Sequence, residues 1–286
     1  MEPLIKSYGE RLEALVAERG PLCVGIDPHP GLLASWGLAP NASGLEQCAR
    51  GMIEALGSLV PVFKPQSAFF EAYGSAGIAV LERTLADIKA AGALSILDVK
   101  RGDIGSTMDA YAAAYLSDGS PLAADAITLS PYLGFATLDS TIELADHEGR
   151  GVYVLALTSN PEGPQVQHAQ TADGRIVGQL IVDEAASRNT IRAKPAMAIG
   201  PVGIVVGATI GQTGTDFTAL NGSILSPGIG AQGGSAAGLP ALFGEACRFV
   251  LPSSSREVMS AGPTPTRLQQ AATQVLGEMK AALRLR

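Results

Sequence analysis

The chain has 286 residues, 47% of them hydrophobic and only 16% charged, which excludes a disordered protein and leaves ample material for a buried core. Its formal net charge of −7 argues against general nucleic-acid binding, which needs a basic stripe. Positive partners for any anionic ligand must therefore be local.

In chain order, the first element expected is a helix over residues 8–19, with Leu12, Leu15 and Val16 at helical spacing. An apolar run at 22–27 follows and ends on Asp27, where Pro28-His29-Pro30 stops a strand and stiffens the turn. A helical pattern over 45–59 leads to a second run, 61–64, closed by Lys64 before Pro65. After a helix over 77–91 comes the third run, 94–100, which continues into Asp98-Val99-Lys100-Arg101-Gly102-Asp103. Strand periodicity of two places Asp98 and Lys100 on one face and Val99 on the other. Asp103, beyond a flexible Gly102, can fold back toward them.

Helices over 106–116 and 138–147 flank a fourth run at 126–130, and a fifth run spans 152–158. The excursion over about 160–201 is the longest between runs, and it reads as a long loop plus a helix over 176–192 rather than a second domain. Runs at 203–208, 223–226 and 248–252 complete the series, with helices over 239–243 and 268–283. The connection after the sixth run is ambiguous.

Each run is continuous in Val, Ile and Leu rather than alternating, as parallel strands covered on both faces are. Eight strand–helix units suit either a closed barrel or an open doubly wound sheet. The polar residues favour the barrel: Asp27, Lys64, Asp98, Lys100, Ser130, Thr158, Ser226 and Ser253 all fall at or just past strand C-terminal ends. A barrel assembles its site there from many strands, whereas an open sheet concentrates it at one switch point. The expected architecture is a (β/α)8 TIM barrel, one catalytic domain over 1–286.

A single Asp–Lys pair at a strand end reads equally well as a structural ion pair. Three alternating charges beside two further charged strand ends favour a site, because buried charges are costly unless paired or working. Near the C-terminus, Ser226-Pro227-Gly228-Ile229-Gly230-Ala231-Gln232-Gly233-Gly234 contains a formal GxGxxG. The dinucleotide fingerprint belongs in a first βα unit, and here it follows the seventh run. Glycines in that place suit a backbone phosphate site, with Arg256 after the eighth run as a bidentate partner. His29, His147 and His168 have no metal-ligand spacing, and neither a Walker loop nor a GxSxG elbow occurs.

The cysteines, Cys23, Cys48 and Cys247, are widely separated and form no disulfide framework, so a reduced, cytoplasmic setting is expected. The first residues lack the regions of a signal peptide, and no apolar run approaches the roughly 18 residues of a membrane span. Mean hydropathy of +0.23 then reflects buried strands.

With Asp27, Lys64, Asp98-x-Lys100-x-x-Asp103 and the 226–234 loop in place, the chain resembles the orotidine 5′-phosphate decarboxylases, over nearly its whole length. It is closest to the longer bacterial subgroup with the Asp-x-Lys-Arg-Gly-Asp form of the motif. The resemblance implies decarboxylation of orotidine 5′-phosphate to UMP without metal or cofactor. It implies Lys100 as proton donor to C6, Asp98 beside the departing carboxylate, and Lys64 bridging the charge network and the ribose. Asp27 would bind ribose, Gln232 would bridge base and phosphate, and Gly233 and Arg256 would hold the phosphate. Ser159 matches the position that contacts the pyrimidine edge, although the adjacent Thr158 competes for that role. Asp103 and Thr107 would reach into a neighbouring subunit's site, making a homodimer with shared sites.

Three rival readings fit the same residues. One is a metal-dependent sugar-phosphate enzyme on the same Asp-x-Lys-x-x-Asp framework. Another is a Schiff-base aldolase using Lys100 or Lys64. The third is a nucleotide-binding barrel without catalysis.

Overall fold

The computed structural model describes residues 6–191, 199–211, 213–230 and 233–284. Its eight strands are β1 (Cys23–Ile26), β2 (Val62–Pro65), β3 (Leu94–Arg101), β4 (Ala126–Leu129), β5 (Gly151–Leu157), β6 (Val202–Val206), β7 (Ile224–Pro227) and β8 (Val250–Ser254). They pair in parallel in sequence order, and β8 returns to β1 through Cys23 and Ser253, so the barrel is closed. The expected TIM barrel is the observed fold.

Around it run α1 (Tyr8–Arg19), α2 (Pro30–Ser35), α3 (Ala42–Leu56), α4 (Ser67–Glu71), α5 (Gly74–Ala90) and α6 (Gly105–Leu116). The ring continues with α7 (Asp139–His147), α8 (Pro164–Gln167), α9 (Val177–Ile191), α10 (Leu239–Phe243), α11 (Arg256–Met259) and α12 (Pro265–Ala282). Expected and observed boundaries differ mostly at helix starts: α3, α5 and α12 each begin three residues before the expected position. Asn41 caps α3 by accepting the Gly44 N–H, so that helix starts before the first apolar residue of its stripe.

Strand alternation divides the core. Val24, Ile26, Phe63, Leu97 and Val99 point outward into the layer shared with the helices. Cys23, Val62, Leu94, Ile96, Ala126, Tyr153, Val205, Leu225 and Leu251 fill the barrel interior. Helix α1 closes the N-terminal end of the barrel. A capping box between Ser7 and Glu10 starts it, and Tyr8 and Leu12 insert into the interior cluster. The Tyr8 and Tyr153 hydroxyls meet at 3.0 Å with their rings edge to face. A Cβ on Gly151 would lie 2.6 Å from the Tyr8 ring, so a glycine there admits the plug.

Strand eight is displaced from the expected 248–252, because residues Gly244–Phe249 tighten into a 3-10 turn before Val250. Among the described residues the connection from β6 to β7 carries no helix; Phe217 and Leu220 tuck into the outer core, with Phe217 packed on Phe243. Residues 192–198, within the long 160–201 excursion, lie outside the described residues; the rest of it contains α8 and α9. Among the described residues no helix is long and apolar enough to cross a membrane.

Candidate active site

The C-terminal ends of the strands open into a cavity of about 730 Å3. The same alternation that fills the interior selects its lining. On β2, Val62 faces inward, so Lys64 and then Gln66 reach the mouth; on β3, Leu94 and Ile96 lead to Asp98 and Lys100; on β4, Ala126 leads to Thr128.

Asp98 is the hub. It is 6% exposed and Lys64 is 7% exposed. Lys64 Nζ donates to Asp98 Oδ2 at 3.0 Å, and Gln66 Nε2 donates to the same oxygen at 2.9 Å. Lys100 Nζ donates to Oδ1 at 2.6 Å and Thr128 Oγ1 to Oδ1 at 2.8 Å. Each oxygen thus accepts two donors, close to what a carboxylate can take. Burial pushes the Asp98 carboxyl up, but Lys64 and Lys100 together outweigh it and hold it well below the usual range. Burial likewise disfavours charge on Lys64, and the Asp98 and Asp27 carboxylates reverse that, raising its ammonium above the usual lysine range.

Lys100 itself sits at φ 45°, in the left-handed region. For a lysine this costs roughly 1–3 kcal/mol, so its surroundings must enforce it. The β3–β4 register shifts between Leu97 and Arg101, and a bulge of this kind re-aims a side chain. The Lys100 N–H donates to Thr128 Oγ1 at 2.9 Å, so Thr128 ties both the backbone of Lys100 and the carboxylate of Asp98. Gly102 has a different function from the flexible joint expected: a Cβ there would lie 2.3 Å from the Ser130 carbonyl oxygen. Close approach of β3 to β4 requires the glycine.

Asp27 lines the cavity, and its Oδ1 is buried without a hydrogen-bond partner among the described residues. Such an oxygen suits a ligand hydroxyl. Of the competing pair after β5, Thr158 is committed elsewhere: Gln167 Nε2 donates to its hydroxyl, which donates to Asn160 Oδ1. Ser159 lines the cavity with no hydrogen-bond partner for its hydroxyl among the described residues, which favours it for ligand contact. Gly207 makes room for it, since a Cβ there would meet Ser159 Oγ at 2.2 Å.

Arg256 opens α11 at the cavity rim, exposed and without an ion pair among the described residues. In the neighbouring loop Gly228, Gly230 and Gly233 all have positive φ, from 80° to 101°, which only glycine adopts freely. Gly228 lines the cavity, whereas Gly233 does not, and the Gly233 N–H donates to the Gly230 carbonyl. Gln232 lies outside the described residues. Ser226, expected at the mouth, alternates away from it: it is fully buried between inward-facing Leu225 and the cavity-lining Pro227.

Asp103 and Thr107 also lie away from this cavity. The Asp103 carboxylate accepts the Ile104 N–H at 2.8 Å, and Thr107 is exposed on α6. Exposed Ile104 lies between them, with Tyr132 and Leu133 exposed after β4.

The sequence reasoning missed Gln66, Thr128, His29 and Phe69. Gln66 and Thr128 were accessible by counting in twos from Lys64 and Ala126. His29 signals only as a cap, its Nδ1 accepting the Leu32 N–H while its ring lies 6.3 Å from that of Phe69. Among the described residues no group of three or more His, Cys, Asp or Glu could hold a metal ion.

Comparison with known proteins places the chain in a family. The family described as orotidine 5′-phosphate decarboxylase / HUMPS matches residues 20–266. The orotidine 5′-phosphate decarboxylase of Salinispora tropica is 58% identical over 279 residues, covering 98% of this chain and 99% of that protein. The Streptomyces coelicolor protein of the same name is 50% identical over 283 residues, covering 99% of each. A crystal structure from Streptomyces avermitilis, provisionally assigned to the same enzyme, superposes with a TM-score of 0.93 at 51% identity, covering 98% of this chain and 96% of that one.

Proposed function

The chain belongs to the orotidine 5′-phosphate decarboxylase / HUMPS family, and from that membership we propose that its barrel mouth breaks the bond from C6 to the carboxylate and protonates C6 with Lys100. Decarboxylation of orotidine 5′-phosphate to UMP, the last step of UMP synthesis, is its activity; the residue roles are our reading.

The observation that carries this reading is the Lys64–Asp98–Lys100 network at the cavity floor. Loss of CO2 leaves an electron pair on C6 with no adjacent carbonyl to delocalise it. A fixed ammonium at Lys100 stabilises that charge and then supplies the proton, becoming a neutral amine that solvent reprotonates. Lys100 is suited to this because its side chain is 46% exposed, whereas Lys64 is locked in place. Asp98 stays ionised under its two lysines and lies against the departing carboxylate. Lys64 and Asp27 take the ribose, Ser159 the pyrimidine edge, and Arg256 with the 228–233 glycine loop, including Gln232 and Gly233, the phosphate.

The reaction is read as metal-free. An Asp98 carboxylate whose oxygens already accept two ammonium groups, an amide and a hydroxyl has no lone pair to spare for a cation. Asp103 and Thr107 are read as serving the partner in a homodimer, supported by their distance from their own cavity and by exposed Ile104 between them. We read the chain as one cytoplasmic catalytic domain.

The test is a spectrophotometric assay of orotidine 5′-phosphate in EDTA. Loss of the orotidine absorbance at an undiminished rate is expected, and dependence on added divalent metal would sink the metal-free reading.

A further inference from the structure

Within the charged run of β3, Arg101 has no part in the chemistry above, yet its guanidinium is among the most heavily tied groups near the site. Nη2 donates to Glu71 Oε1 at 2.8 Å and to the Tyr115 hydroxyl at 3.4 Å. Its Cζ lies 5.5 Å from the centroid of the Tyr111 ring. Ser67 Oγ donates to the same Glu71 oxygen at 2.7 Å, which fixes the carboxylate on α4. Nε is buried without a partner among the described residues, and the plane of the group points elsewhere.

The remaining nitrogen shows where. Arg101 Nη1 donates to the Val99 carbonyl oxygen at 3.3 Å, reaching back across Lys100. That carbonyl belongs to the Val99–Lys100 peptide, whose N–H is held by Thr128 Oγ1 at 2.9 Å. One peptide plane is therefore gripped at both ends. Rotation about the Lys100 N–Cα bond, the torsion that stands at 45°, would have to swing this plane or the lysine.

We propose that Arg101 is a positioning residue that clamps the Val99–Lys100 peptide and so keeps Lys100 in its left-handed conformation, its ammonium over Asp98. The clamp is anchored on both sides of β3. Glu71 belongs to α4, which follows Lys64 and Gln66, and Tyr111 and Tyr115 belong to α6, which follows Asp103. A lysine at 101 could hold Glu71 but has no planar fork to reach the Val99 carbonyl while lying over Tyr111.

The inference rests on the proposed role of Lys100, and its test separates the two. Arg101→Met and Arg101→Lys are assayed for turnover per UMP-binding site, counted by UMP titration. Amide hydrogen exchange at Lys100 is measured alongside. A clamp predicts that kcat per site falls about 30-fold or more in both variants while UMP affinity stays within about threefold. It also predicts at least tenfold faster exchange at the Lys100 N–H. A merely structural ion pair would lower the number of binding sites and the thermal midpoint but leave kcat per site and Lys100 exchange unchanged, and that result overturns the proposal. If Arg101→Met does not fold, Arg101→Lys decides alone. A wild type without turnover would overturn the reading of the reaction, and the exchange measurement would still decide the role of Arg101.

Discussion

Lys64 and Lys100 bind different oxygens of one carboxylate, Lys64 at 3.0 Å from Asp98 Oδ2 and Lys100 at 2.6 Å from Oδ1. Two like charges are thus held together by a shared anion in a site where unpaired charge is costly. The pair is asymmetric: Lys64 is almost wholly enclosed and Lys100 is half open to the cavity. One is a fixed counter-charge and the other is free to act on a ligand.

Replacing Lys100 with alanine should therefore remove the reaction and spare binding. Loss of both charge stabilisation and the proton donor lowers kcat by at least about a thousandfold. UMP affinity, set by phosphate and ribose contacts, changes by only a few fold in calorimetry. Near-normal turnover in Lys100→Ala would exclude it as the proton donor.

Asp98→Asn makes a sign-specific prediction about pH. In the wild type the raised Lys64 contributes stability that is complete below the free-lysine value of about 10.4 and lost above it. The depressed Asp98 contributes stability that is present above about 3.9 and lost only as pH falls through its lowered value. Between roughly pH 5 and 10 the pair leaves stability flat. In Asp98→Asn burial dominates, the Lys64 value drops below that of the unfolded chain, and the unfolded state binds more protons. The thermal midpoint of this variant should then rise from pH 7 to pH 10. A slope equal to the wild type's would show that Asp27 alone holds the charge on Lys64.

Mixing inactive Asp98→Ala and Asp103→Ala proteins tests the shared site. If Asp103 serves the partner, random reassortment gives hybrid dimers with one intact site, and about a quarter of wild-type activity returns. No recovery after verified subunit exchange would count against the shared arrangement.

Arg256→Ala should weaken UMP by about 10- to 100-fold, the loss of one charge-assisted, bidentate contact. Binding of uridine, which lacks the phosphate, should not change. Equal weakening of both ligands would place Arg256 elsewhere than at the phosphate.

Tyr8→Phe probes the far end of the barrel. Removing the hydroxyl that meets Tyr153 at 3.0 Å should destabilise the fold by about 1 kcal/mol and lower the thermal midpoint. The kcat should stay at the wild-type value, since α1 closes the end opposite the cavity; a large change in kcat would mean that the two ends communicate.

Much of this was legible in the sequence because a strand alternates strictly. Asp98 and Lys100 on one face, with Val99 against the helices, follows from a period of two. The same rule failed at Ser226, where both faces of β7 are apolar and nothing in the sequence marks which side is the mouth. Short elements were invisible: α2 and α4 have six and five residues, too few for a periodic stripe. The left-handed backbone of Lys100 could not be read either, because it arises from Thr128 and Arg101, contacts between residues distant in sequence or across a bulge. Thr158 and Ser159 are neighbours of similar chemistry, and the positions of Gln167 and Asn160 separate them.

The tyrosine plug under the barrel makes the reaction chamber a blind well. With that end filled, the mouth is the route the cavity offers to gas and nucleotide alike, so carbon dioxide formed beneath the nucleotide would leave past it. If the rim holds the phosphate as proposed, its grip on the nucleotide bears on the order in which the two products depart. An inhibitor that occupies only the rim would stop arrival and departure together.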